Sequence, residues 1–163
     1  MKLCHSIGPK ISRNHNTLDE ILACKEPISF DGVYRSVWDN RHALRGMDIT
    51  MFFMGEYIGS SNAFDNPVKV EYYCTFDELL TLRDTFGFKL GFHTWTHRDL
   101  TKIDNYEEII EEITPPMPCE SLAYPYGNFD KTVLDAVREV GYKYAYTVYQ
   151  GDGSPHQLLR TYL

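Results

Sequence analysis

The sequence has no apolar run approaching the ~20 residues that cross a bilayer, and residues 1–16 (MKLCHSIGPKISRNHN) lack the apolar core of a secretory leader. A cytoplasmic protein without a membrane span is the expectation. Positive charge is also scarce: 16 Lys and Arg stand against 23 Asp and Glu, a net charge of −7. That sign repels phosphate backbones and anionic lipid surfaces, which argues against a nucleic-acid partner. Cysteine is limited to Cys4, Cys24, Cys74 and Cys119, too widely scattered for the close pairs of zinc ribbons or redox motifs. They read as unpaired thiols serving as small apolar residues. Gly and Pro occur singly, with no repeat or low-complexity stretch, so nothing marks a second domain.

What is present is an ordinary globular balance of 43% hydrophobic and 24% charged residues, with an aromatic share of 14%. A chain of 163 residues fits a single domain over 1–163, and one this size buries roughly two-thirds of its unfolded surface. Short apolar runs alternate with helix patterns. Thr17, with Glu20 three residues on, predicts a capped helix over Leu18–Cys24, and Ile28–Phe30 reads as a buried strand emptying into Asp31-Gly32. Val33, Val37 and Leu44 share a helical face that Gly46 ends. Strands are expected at Asp48–Met54, Lys89–Phe92, Ser121–Tyr124, Tyr142–Tyr149 and Leu158–Leu163, and helices at Thr75–Phe86, Ile103–Ile113 and Phe129–Val140. This order favours an α/β fold with a mostly parallel sheet, open or curled into a barrel, whose functional loops follow the strand C-terminal ends.

Asp31, His93 and Tyr126 all follow predicted strands. In His93-Thr94-Trp95-Thr96-His97 two imidazoles stand four residues apart, a spacing that on a helical turn lets both reach one ion at about 2.0–2.1 Å. The alternative is a packed or hydrogen-bonded histidine pair near a helix start. Two imidazoles hold a divalent ion weakly, so a carboxylate must join them; Asp31 is the first candidate, its alternative role being a cap on the next helix. Ala123-Tyr124-Pro125-Tyr126-Gly127 reads as a strand turning into a helix, and backbone N–H groups at such a turn can stabilise an oxyanion or simply make a turn.

Taken together and in this order, Ser29-Phe30-Asp31-Gly32, His93-Thr94-Trp95-Thr96-His97 and Ala123-Tyr124-Pro125-Tyr126-Gly127 resemble the motifs of the polysaccharide deacetylase family, the chitooligosaccharide-deacetylase homology domain. Ile49–Phe53 and Tyr142–Thr147 resemble its neighbouring strands, so the likeness runs from Ile28 to about Val148. The resemblance implies a distorted, incomplete (β/α) barrel of the polysaccharide deacetylase type with mostly parallel strands. It implies a metal-dependent hydrolase that removes acetyl groups from an N- or O-acetylated sugar or glycan precursor, in surface polysaccharide metabolism.

By the same resemblance, His93 and His97 are metal ligands for a divalent ion, zinc foremost, and Asp31 is the general base and a candidate third ligand. Tyr126 offers its backbone N–H to the oxyanion, and His156, the histidine after Tyr126, is the candidate general acid. The family's second aspartate falls on Gly32 and its motif arginine on Ala123. Asp39, Asp48, Glu56 and Asp99 are the other carboxylates considered for the third place. The alternative is a catalytically silent relative that binds carbohydrate or a partner protein through Tyr34, Trp38, Trp95, Tyr124 and Tyr126. A shortened barrel also leaves a homodimer open.

Overall fold

The computed structural model describes residues 1–10, 15–64 and 70–163. Strands β1 (Lys2–Cys4), β2 (Ser6–Ile7) and β3 (His15–Asn16) precede helix α1 (Leu18–Ala23) and β4 (Ile28–Asp31). Then come α2 (Arg35–Asp39), β5 (Ile49–Phe53), α3 (Phe76–Phe86), β6 (Lys89–Phe92), α4 (Tyr106–Ile113) and β7 (Ser121–Ala123). The chain ends with α5 (Lys131–Val140), β8 (Tyr144–Thr147), β9 (Leu158–Leu159) and β10 (Thr161–Tyr162).

The helix starts follow from side chains that satisfy orphan N–H groups. Thr17 and Thr75 each form a reciprocal capping box, with Glu20 and Glu78, while Asn105 and Asp130 cap α4 and α5. Gly87 and Gly141, both left-handed, close α3 and α5. The helix expected from Val33 to Gly46 is shorter. Gly32 and Val33 both take positive φ (85° and 54°), so α2 starts at Arg35, and it ends where the Asn40 side chain bonds back to the Ser36 carbonyl.

Contacts gather into two compact units. The first holds Met1–Met51, Tyr57–Lys89 and Thr161–Leu163. Its strands run in the order β10-β1-β4-β5, with β1 parallel to both β10 and β4. Ile28, Phe30, Ile49, Leu79 and Leu82 are buried in its core. The second holds Phe52–Glu56 and Leu90–Arg160, in the order β5-β6-β7-β8-β9, with β6–β7, β7–β8 and β8–β9 parallel. Phe52, Phe53, Phe92, Leu122, Ala145, Ile109, Ile113, Val133 and Val137 are buried there. All of β4 and β5 is buried, including the polar Ser29, Asp31 and Thr50, as strands covered on both faces are.

Further features depart from the sequence reading. β1 was not anticipated, because three residues are too few to show a period. The run Leu158–Leu163 is not one strand: it breaks at Arg160, whose side chain is buried with its guanidinium 5.1 Å from the Phe52 ring and 5.9 Å from that of Tyr146. The thiols behave as expected. None of the four cysteines forms a disulfide, and burial pushes the thiol pKa of Cys4 and Cys74 up to about 12. Among the described residues, no helix is long and apolar enough to cross a membrane.

Candidate functional site

Because β6, β7 and β8 are parallel, the segments after β6 and β7 leave the second unit at one sheet edge. The segment after β6 is His93–His97, and it is not the helical turn its spacing suggested. It is a loop in which Thr94 (φ 68°) and His97 (φ 60°) are both left-handed. For side chains other than glycine such angles cost of order 1–3 kcal/mol each and persist only where surroundings enforce them. The rings nevertheless meet: the His93 and His97 centroids are 4.9 Å apart, with their planes at 70°.

His93 is buried, and its Nδ1 lies 2.7 Å from the Ala123 carbonyl oxygen. A carbonyl only accepts, so Nδ1 donates and Nε2 carries the lone pair of the neutral ring. This is the orientation that outer partners impose on a metal-ligating histidine. His97 packs on Tyr126 at 4.9 Å between centroids, so both imidazoles and the Pro-Tyr-Gly turn form one cluster. Tyr126 is itself left-handed (φ 58°) and about half exposed.

Several contacts hold the loop. The Thr94 hydroxyl accepts from the His97 N–H (3.1 Å), and on the β5 side the N–H groups of Gly55 and Glu56 donate to Thr94 and Trp95 carbonyls. Gly55 must be glycine, since a Cβ there would stand 2.3 Å from the Trp95 indole. On the α4 side, the buried Glu112 carboxylate accepts from both the Thr96 N–H (3.1 Å) and the Thr96 hydroxyl (2.6 Å). Beyond the loop, Asp99 accepts from Thr101 and from Asn128 (2.8 Å), tying the segment after His97 to the one after Gly127. Burial raises the Asp99 pKa, but the hydrogen bonds from Thr101 and Asn128 outweigh it and hold the carboxyl below its ordinary value.

The other expected site residues are placed as follows. Asp31 closes β4 in the first unit, is buried, and is followed by the left-handed pair Gly32 and Val33. The His156 carbonyl accepts from the Tyr124 hydroxyl at 2.9 Å. The His156 Nε2 bonds the Tyr142 carbonyl (2.7 Å) just before β8 begins, whereas His93 follows the C-terminal end of β6. Asp48 holds Lys89 (2.7 Å), and Asp39 faces Arg35 (3.9 Å). Glu56 is exposed, although its N–H is tied to Trp95. Sequence reasoning missed Glu112, yet a signal existed: it falls three residues after buried Ile109, on the inward face of α4.

The donors can be tested against the metal that the motif resemblance implies. An ion about 2.1 Å from one nitrogen of each ring, at a tetrahedral angle, sets two imidazole centroids roughly 5 Å apart, which the observed 4.9 Å matches. The same separation is that of edge-to-face ring packing, so what the pair offers a metal is two nitrogen donors of the type zinc takes. Gly32 has no side chain to offer as a third, and among the described residues no group of three His, Cys, Asp or Glu side chains is placed to hold an ion.

Comparison with known proteins follows the same lines. The model of the family described as polysaccharide deacetylase matches residues 28–145. No curated protein matches the chain. Among solved structures, the chain is similar to the deacetylase PplD of Streptococcus pyogenes, in complex with acetate, at 14% identity and TM-score 0.76, covering 99% of this chain and 90% of that one. It is similar to IcaB of Ammonifex degensii at 16% identity and TM-score 0.78, covering 100% and 91%. BC0361, a polysaccharide deacetylase from Bacillus cereus, matches at 19% identity and TM-score 0.70 over 98% of this chain and 62% of that one. These likenesses show the fold expected from the sequence.

Proposed function

The chain belongs to the polysaccharide deacetylase family, and from that premise we propose that it removes acetyl groups from an N- or O-acetylated sugar, aided by a divalent ion at His93 and His97. The observation that carries this reading is the imidazole pair, 4.9 Å apart, with the His93 tautomer fixed by the Ala123 carbonyl. Zinc is the ion proposed. Bound there, it would supply Lewis-acid polarisation of the acetyl carbonyl and bring the pKa of a water from 15.7 to about 7.

The chain's own groups have separate tasks. Asp31 takes the proton of the attacking water, and the Tyr126 backbone N–H donates to the oxygen that becomes negative as the carbonyl carbon turns tetrahedral. Cleavage then frees acetate, the proton held by Asp31 passing to the departing sugar nitrogen or oxygen. His156, whose Nε2 lies 2.7 Å from the Tyr142 carbonyl, is assigned no proton transfer in this reading.

The test is acetate release from N-acetylated and O-acetylated sugar oligomers by zinc-loaded and chelator-stripped protein, with Gly32→Asp measured alongside. Gly32 is buried at φ 85°, so an aspartate there carries both backbone strain and desolvation, and circular dichroism on the variant is read before its zinc affinity. We expect zinc-dependent acetate release by the wild type and at least a tenfold gain in zinc affinity in the variant, since a third ligand is restored. A second reading, a silent domain that binds carbohydrate or a partner protein, is favoured by Gly32 and by the absence of a three-ligand group among the described residues. Bound zinc without acetate release from any oligomer selects that second reading.

A further inference from the structure

We infer that Glu112 positions the histidine pair, holding the His93–His97 loop from outside in the shape that brings the rings together; the inference rests on the reading of those rings as ligands. Glu112 belongs to α4, not to the loop, and is only 6% exposed. A carboxylate is seldom buried unless its oxygens are satisfied, and here both are taken by one residue. Oε1 accepts from the Thr96 hydroxyl at 2.6 Å and Oε2 from the Thr96 N–H at 3.1 Å, while the Glu112 carbonyl accepts from the Trp95 N–H at 3.0 Å. Three hydrogen bonds from two consecutive loop residues thus converge on one helix residue.

The neighbours on α4 hold side chains of this segment rather than its backbone, the Thr114 carbonyl at the C-cap accepting from the Trp95 indole N–H at 2.8 Å. Glu108 pairs with Arg98, and Glu111 is exposed. Thr96 immediately precedes His97, whose left-handed backbone sets where its ring goes. Inside the loop the Thr94 hydroxyl secures the His97 N–H; Glu112 secures the residue before it. Bonds to a charged acceptor are stronger than neutral ones, which suits a segment with two strained residues.

Glu112→Met keeps an unbranched side chain of similar length but removes both oxygens that accept from Thr96. Thr96→Val removes the hydroxyl from the other partner and leaves α4 untouched. In both variants we expect amide hydrogen exchange at Thr96 and His97 to quicken at least tenfold while amides of β7 and β8 keep their rates. We expect zinc affinity to fall at least tenfold in each, and the double variant to lose no more than about twofold beyond the worse single one. Unchanged exchange at Thr96 and His97 would overturn the inference, as would exchange that quickens uniformly along the chain, or quickened loop exchange with unchanged zinc affinity. A wild type that binds no zinc removes the ligand reading instead, and Glu112 is then judged by the exchange rates and the ring resonances of His93 and His97, which should shift in both variants.

Discussion

Replacing His93 and His97 together by alanine lowers acetate release by about 10³-fold or more and takes bound zinc from about one equivalent to background. A catalytic ion contributes several kcal/mol of transition-state stabilisation, and each 1.36 kcal/mol is a factor of ten. The loss should fall on kcat and kcat/KM alike, because the interaction removed is one that grows as charge develops on the acetyl oxygen. The fold should survive. Bonds through backbone groups, Thr94, Thr96 and Glu112 still hold the loop, and the main structural cost is the loss of buried His93 with its bond to the Ala123 carbonyl. Zinc content and circular dichroism on the same preparation separate a lost ligand from a lost fold. Retained zinc in the double variant would place the ion elsewhere.

Replacing Asp31 by Asn is expected to reduce kcat by about 10²- to 10⁴-fold, the range typical of a lost general base. The amide keeps the side chain's size at a buried position, so the cost should appear in turnover rather than in stability. The zinc titration adds a second distinction. If Asp31 acts as base alone, the variant binds zinc as the wild type does; if it is also a ligand, affinity falls together with rate. Steady-state kinetics and a zinc titration on Asp31→Asn read both outcomes, and an unaltered kcat would remove Asp31 from the chemistry.

The parts legible in the sequence are those where one physical rule acts alone. The apolar runs at Ile28–Phe30 and Ile49–Phe53 could bury both faces only as covered strands, and they do. The Thr17–Glu20 pair announced its capping box from spacing alone, and Thr75 marked the start of its helix. The histidine pair was legible as a pair but not in its geometry. Residues four apart meet on a helical turn, yet they also meet in a tight loop with left-handed residues at Thr94 and His97, and neither side chain advertises a positive φ. Glu112 was hidden among the other acids of α4, where only the phase relative to Ile109 and Ile113 distinguishes it. Arg160 looked like one polar residue in a strand, whereas its burial beside Phe52 and Tyr146 coincides with the place where that strand ends.

The shared-ion geometry is tested most directly by crystals soaked in zinc and measured across the zinc absorption edge. A single anomalous peak about 2.0–2.1 Å from His93 Nε2 and from one ring nitrogen of His97 is the expected result. A map with no peak between the two rings, or with the ion held by other side chains, would contradict it.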